Sequence, residues 1–255
     1  MLFLQIILLV HQNVLCKYLS MIYDLILISR FFTPKWIFVI FSSLIILLPI
    51  IPAIKYRKDL SDSLRTISIY LYGSLFLEIL CWAIILLPFV NHRNHWVFNI
   101  LNIFEFICLS YYFLQTTKSV KIKNVIKAVS ILSFLIIIIF TTVNIKEFNK
   151  YDDFAHSIVY ITLILFVLLN FYEMLYSDEI LLLSNHSYFW IASGILIYFS
   201  GAFFVTLFGD KILLLKGPLK DYWMIYYILL IIFRVFLAIG LWFSKTPQQL
   251  SSSLK

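Results

Sequence analysis

The stretch WMIYYILLIIFRVFLAIGLWF, residues 223–243, carries a single charge in twenty-one positions and no proline. At 1.5 Å per residue, a helix of that length reaches about 31 Å, the thickness of a bilayer's hydrocarbon core. Trp223 and Trp242 put amphipathic rings where headgroups begin. The stretch therefore predicts a membrane-spanning helix. Arg234, at its middle, is the residue that needs a reason.

Six further runs have the same character: Pro34–Ala53, Leu64–Leu87, Trp96–Leu114, Val125–Val143, Ser157–Tyr176 and Tyr188–Leu207. They are about twice the length of a barrel strand and lack its apolar–polar alternation, which excludes a membrane barrel. The expected fold class is all-α, a polytopic transmembrane bundle of seven helices over residues 34–243. Composition agrees. The chain has 255 residues, 62% hydrophobic and 13% charged, with mean hydropathy +0.97. One water-soluble core cannot hide that much apolar surface, so lipid is the solvent. Only six Gly and six Pro predict helices that run largely unbroken.

The net charge of +7 does not indicate a nucleic-acid partner, because the cations sit in short connections rather than on one basic face. They act as topology signals. Lys55, Arg57, Lys58 and Arg65 fall in the first connection, and Lys118, Lys121, Lys123 and Lys127 in the third. By the positive-inside rule these ends are cytoplasmic, giving an outside N-terminus and an inside C-terminus. Lys211, Lys216 and Lys220 run against that orientation. Residues 1–33 read as an interfacial or short apolar segment, interrupted by Lys17, Asp24 and Arg30. They lack the basic start and small-residue cleavage site of a signal peptide. Residues 244–255 read as a short polar tail, with no soluble catalytic domain at either end. Cys16, Cys81 and Cys108 have neither disulfide nor zinc spacing.

Two other ionisable residues lie inside apolar runs: Glu78 and Glu105. A bare charge there costs on the order of 3 kcal/mol or more, so such residues are paired or functional. Counted from the outer helix ends, Glu78, Glu105 and Arg234 lie at depths of roughly 14, 14 and 17 Å. One level allows Arg234 to pair with a Glu. Tyr70, Ser74 and Glu78 recur every fourth residue and share a helix face. Asn99, Asn102 and Tyr112 lie near the side of Glu105, and Tyr227 lies two turns from Arg234. The candidate polar core is thus Glu78, Glu105, Arg234, Asn99, Asn102, Tyr70 and Tyr227. It is either a clamp that fixes helix packing or a ligand site and proton-linked switch. Asn170 and Glu173 near another helix end fit an interhelical hydrogen bond or snorkelling, and Gly194, Tyr198 and Gly201 share a face suited to close packing.

His92, His95, Asp152 and His156 fall in connections assigned outside and supply nitrogen and oxygen atoms of metal-ligand type. Ligand pairs of this kind arise often by chance, and no metal or cofactor is expected. No nucleophile elbow or Gly-rich phosphate loop is present. Asp152, His156 and Tyr160 resemble part of the Asp-Lys-x-x-His-x-x-x-Tyr stretch of VanZ-like membrane proteins, but Asp153 stands where that family has Lys. Its later signals have no counterpart here, so the family is not adopted. The last span contains no Lys for a Schiff base, which separates the chain from rhodopsins.

From Tyr70 to Tyr112, with Glu78, Asn99, Asn102 and Glu105, and again over Phe189-Trp190 and Gly194 to Gly201, the layout resembles uncharacterised seven-helix membrane proteins of Bacteroidota. Those are similar to membrane-embedded sensory modules of some histidine kinases. The resemblance implies a non-enzymatic receptor or sensor-like module in a bacterial inner membrane, binding a small or lipidic ligand. It would signal through a separate partner, since the sequence offers no output domain. A small transporter or proton-coupled permease, or an intramembrane lipid-modifying enzyme, is the rival reading.

Overall fold

The computed structural model describes residues 34–86, 95–143, 152–176, 187–207 and 223–245. The interfacial segment expected over 1–33 and most of the polar tail lie outside the described residues. The chain divides into two units, residues 1–43 and 44–255. In the first, the structure describes the opening of α1 (Pro34–Leu44), where Ser42 Oγ donates to the Val39 carbonyl at 2.7 Å.

The second unit contains α2 (Leu47–Lys55), α3 (Asp62–Leu86), α4 (His95–Thr116), α5 (Val120–Val143), α6 (Asp153–Leu175), α7 (Ser187–Leu207) and α8 (Trp223–Trp242). A 3₁₀ turn, Phe243–Lys245, follows α8. No strand occurs among the described residues, and seven spans are long and apolar enough to cross a membrane. The protein is an all-α, multi-pass membrane bundle.

The first span departs from the expected unbroken helix. It breaks at Ile45-Ile46 between α1 and α2. Pro49 is the physical cause: it has no N–H to give to the Ile45 carbonyl, and its ring crowds that oxygen. The carbonyl instead accepts from Leu48 N–H at 3.0 Å, a tighter i−3 bond. A second shift concerns α5, which starts at Val120 rather than Val125. Lys121 and Lys123 therefore sit on its first turn instead of in a connection. Inside a membrane a helix satisfies its own backbone groups, and long Lys side chains snorkel to water, so the helix can start early at no cost in exposed peptide.

In the second unit, α8 packs on α7 and α2, α7 on α6, α4 on α3 and α6, and α5 on α6. The core along these seams includes Leu109, Phe113, Leu163, Phe166, Phe199 and Leu237, all fully buried. Large side chains on other faces, such as Phe76, Ile139 and Ile161, remain exposed, as lipid-facing positions should. The α7–α8 seam is tight. A Cβ on Gly194 would lie 2.6 Å from Phe236 Cβ, and one on Gly240 would lie 2.5 Å from Ile191 Cγ1. Glycine is what lets these helices touch.

One end of the bundle is tied by polar contacts. Thr66 Oγ1 donates to Gln115 Oε1 at 2.9 Å, and Ser63 Oγ donates to Tyr188 Oη at 3.3 Å. Lys55 Nζ lies 5.2 Å from the Trp242 ring centroid, a cation–π contact. Glu173 at the end of α6 accepts from the backbone N–H of Lys118 at 2.9 Å and from that of Ser119. It caps the approach to α5 from a different helix, taking up donors that a helix start leaves orphaned. This is the interhelical bond the sequence offered as one option for Glu173. Asn170 Nδ2, beside it, reaches Thr116 Oγ1 at 3.5 Å.

Candidate functional site: a polar layer between α3, α4 and α8

Helix α3 presents Tyr70, Ser74 and Glu78 along one face, α4 presents Glu105, and α8 presents Arg234. The expected ion pair forms, and the partner is Glu78. Arg234 Nη2 donates to Glu78 Oε1, with the two side chains 6% and 18% exposed. Such a pair persists at this depth because each charge would otherwise stand alone in a medium that cannot solvate it.

Glu105 takes a different partner. Tyr70 Oη donates to Glu105 Oε1 at 2.6 Å, and both residues are buried. The Tyr70 ring is held between Phe104, with centroids 6.5 Å apart, and Phe233, at 6.2 Å. The layer therefore holds two carboxylates: Glu78 is bonded to the Arg234 guanidinium, and Glu105 is secured by a phenol.

Two tyrosines missing from the sequence-derived set extend this layer. Tyr198 of α7 stacks on Phe233, centroids 4.9 Å apart and planes 8° from parallel. Its hydroxyl lies 2.7 Å from that of Tyr226 on α8. Phe233 is thus the common wall: Tyr70 packs against it from α3 and Tyr198 from α7, one residue before Arg234. The only sequence signal for Tyr198 was its place on the Gly194–Gly201 face, which by itself indicates packing. Tyr227, the expected member, is half-buried and its ring meets that of Tyr226, centroids 5.9 Å apart. Tyr112 is buried beside Phe113.

Asn99 and Asn102 depart from the expected grouping. Both are buried, yet they line a small cavity with Thr141, Asp152 and His156. Asn99 Oδ1 accepts from Asp152 N–H at 3.4 Å. Asp152 caps α6, accepting from Ala155 N–H at 3.0 Å. His156 is buried, with Nδ1 2.8 Å from the Asp152 carbonyl oxygen. His95 is exposed at the start of α4, and His92 lies outside the described residues. Among the described residues, no three His, Cys, Asp or Glu side chains are grouped to hold a metal.

This arrangement offers ion-pair and hydrogen-bond chemistry, with Arg234 bonded to Glu78 and Tyr70 to Glu105. No protein-family model, curated protein or solved structure matches the chain, so the functional reading rests on this geometry.

Proposed function

We propose that this membrane protein is a receptor- or sensor-like module without catalysis of its own. A small or lipidic ligand engages the Glu78–Arg234 and Tyr70–Glu105 layer, and a separate partner reads the change at the basic end of the bundle. The observation that carries this reading is the pair of carboxylates in one layer, Glu78 bonded to Arg234 and Glu105 bonded to Tyr70. That is the form of a two-state element, and a ligand shifts it only if it favours one arrangement over the other. A ligand bearing an acidic or strongly accepting group would do so by replacing Glu78 at Arg234.

The route to the basic end is continuous. Helix α8 runs from Arg234 to Trp242, which packs edge-on against Tyr56 with centroids 6.0 Å apart and lies beneath Lys55 Nζ. A tilt of α8 is therefore felt at the end of α2 and in the first connection. Paired spin labels at positions 58 and 121, in protein reconstituted in liposomes, test this. Glu78→Gln should hand Arg234 to Glu105 and change the inter-label distance distribution. An unchanged distribution overturns the switch. Proton-driven substrate uptake that is lost in Glu105→Gln would replace the sensor with a transporter.

In the proposed orientation the basic end faces the cytoplasm of a bacterial cell, with the N-terminus outside. Among the described residues of the second unit, that end carries Lys55, Arg57, Lys58, Arg65, the four lysines from Lys118 to Lys127 and Lys245, against Asp59, Asp62 and Glu173. The opposite end carries Asp152 and Asp153. Lys58→Cys, with Cys16, Cys81 and Cys108 replaced by Ser, should react with an impermeant maleimide only after permeabilisation. Labelling in intact cells reverses the topology.

A further inference from the structure

The cavity beside Asn102 lies at the end of α4, α5 and α6 opposite the basic one. Its volume is about 10 Å³, room for about one water-sized body. Oxygen-bearing side chains line it from α4, from α5 and from the cap of α6: Asn99 and Asn102, Thr141, and Asp152. Asn102 is 3% exposed, and its Oδ1 has no hydrogen-bond partner. A buried carbonyl oxygen left in this way costs about 1–3 kcal/mol unless something donates to it or is coordinated by it. Two isoleucines, Ile103 and Ile137, form the apolar part of the wall.

Charge decides what the guest is. Asp152 brings a full negative charge and forms no ion pair among the described residues. Ala155 N–H makes one bond to its Oδ1, and Asp152 stands half-buried on the cavity wall. The start of α6 contributes about half a positive charge, so the cavity stays net negative. Its donors are hard oxygens, which suit hard cations rather than zinc or copper. His156 turns Nδ1 to the Asp152 carbonyl. With one carboxylate against the helix start the site carries less than one negative charge, so a divalent ion here would leave more than one positive charge unneutralised beside Ile103 and Ile137, and a monovalent ion far less.

We infer that Asn99, Asn102, Thr141 and Asp152 form a site for one small monovalent cation of the sodium class. The site is distinct from the Glu78–Arg234 layer and joins α4, α5 and the α6 cap. Because it gathers three helices, occupancy stabilises their packing by mass action on the folded state.

The test is thermal unfolding of the full-length protein in detergent, titrated with sodium chloride against choline chloride at constant ionic strength, with a potassium arm. The expected result is a saturable rise in Tm with sodium, a smaller one with potassium and none with choline. Asp152→Asn and Asn102→Ala should raise the sodium midpoint at least tenfold. Thr141→Val, which keeps shape and removes one oxygen, should raise it several-fold and serves if the other two variants do not fold. Equal response to all three salts would mean that the cavity holds only water, and the inference fails. It fails equally if the sodium midpoint is unchanged in the variants that fold.

Discussion

Arg234→Leu is expected to destabilise the folded protein by about 3–5 kcal/mol, the usual cost of removing one member of a buried ion pair. The loss arises mostly from what remains. Glu78 would keep its charge, or take up a proton, in surroundings that cannot solvate it. Adding Glu78→Gln removes that charge, and the double variant should recover most of the loss, since replacing both partners of a buried pair is often close to neutral. Adding Glu105→Gln instead should recover little. Glu105 already has Tyr70 as its donor at 2.6 Å, and in that variant Glu78 would still stand alone. Thermal unfolding in detergent of the parent, the single variants and the two doubles measures this, with the difference between the doubles as the readout. Equal recovery in both would mean that Arg234 serves the two carboxylates alike. Strictly additive losses would mean that Arg234 is held by something other than either.

The pairing was legible in the sequence only as far as a level. Counting residues from the ends of three apolar runs puts Glu78, Glu105 and Arg234 at one depth, because helical rise is fixed and bilayer thickness limits where a span begins. Which Glu meets Arg234 depends on the rotation of α3 and α4 about their axes, and periodicity does not fix that when a helix is apolar nearly all round. Asn102 and Glu105, three residues apart on α4, show the consequence. They lie on neighbouring faces, and a modest rotation decides that Glu105 meets α3 while Asn102 meets the cap of α6. Tyr198 and Tyr226 were hidden for a related reason: two hydroxyls meeting at 2.7 Å depend on ring directions set by Phe233. The break at Ile45-Ile46, by contrast, was available in principle. Pro49 and Pro52 stood in plain view, and counting prolines over the whole chain concealed that two lie three residues apart in one span. Glu173 shows the limit of motif reading. Its partners are backbone N–H groups of Lys118 and Ser119, which no side-chain pattern announces.

The glycines of the α7–α8 seam give the second large effect, and its size should not follow the closest distance. A Cβ on Gly201 would lie 2.5 Å from Leu229 Cδ1 and 2.8 Å from Cδ2. Both are the free ends of a flexible, half-buried side chain. Leu229 can rotate away, and replacing glycine inside a helix returns up to about 1 kcal/mol of propensity. Gly201→Ala should therefore be nearly neutral. At Gly194 the nearest atom is Phe236 Cβ, at 2.6 Å. A Cβ cannot rotate away from its own backbone, so the two helices must separate. That movement would also lift Phe233, 3.5 Å from the same point, out of its stack with Tyr198 and away from Tyr70. Overpacking of this kind costs about 1–3 kcal/mol, and Gly194→Ala should lie towards the upper half of that range even after the propensity gain. The comparison of Tm for the two alanine variants is decisive: Gly194→Ala must fall clearly below Gly201→Ala. The reverse order would mean that α7 and α8 slide past one another more easily than the packing around Phe233 allows. The polar layer would then have no rigid wall at α8 against which an exchange of Arg234 could push.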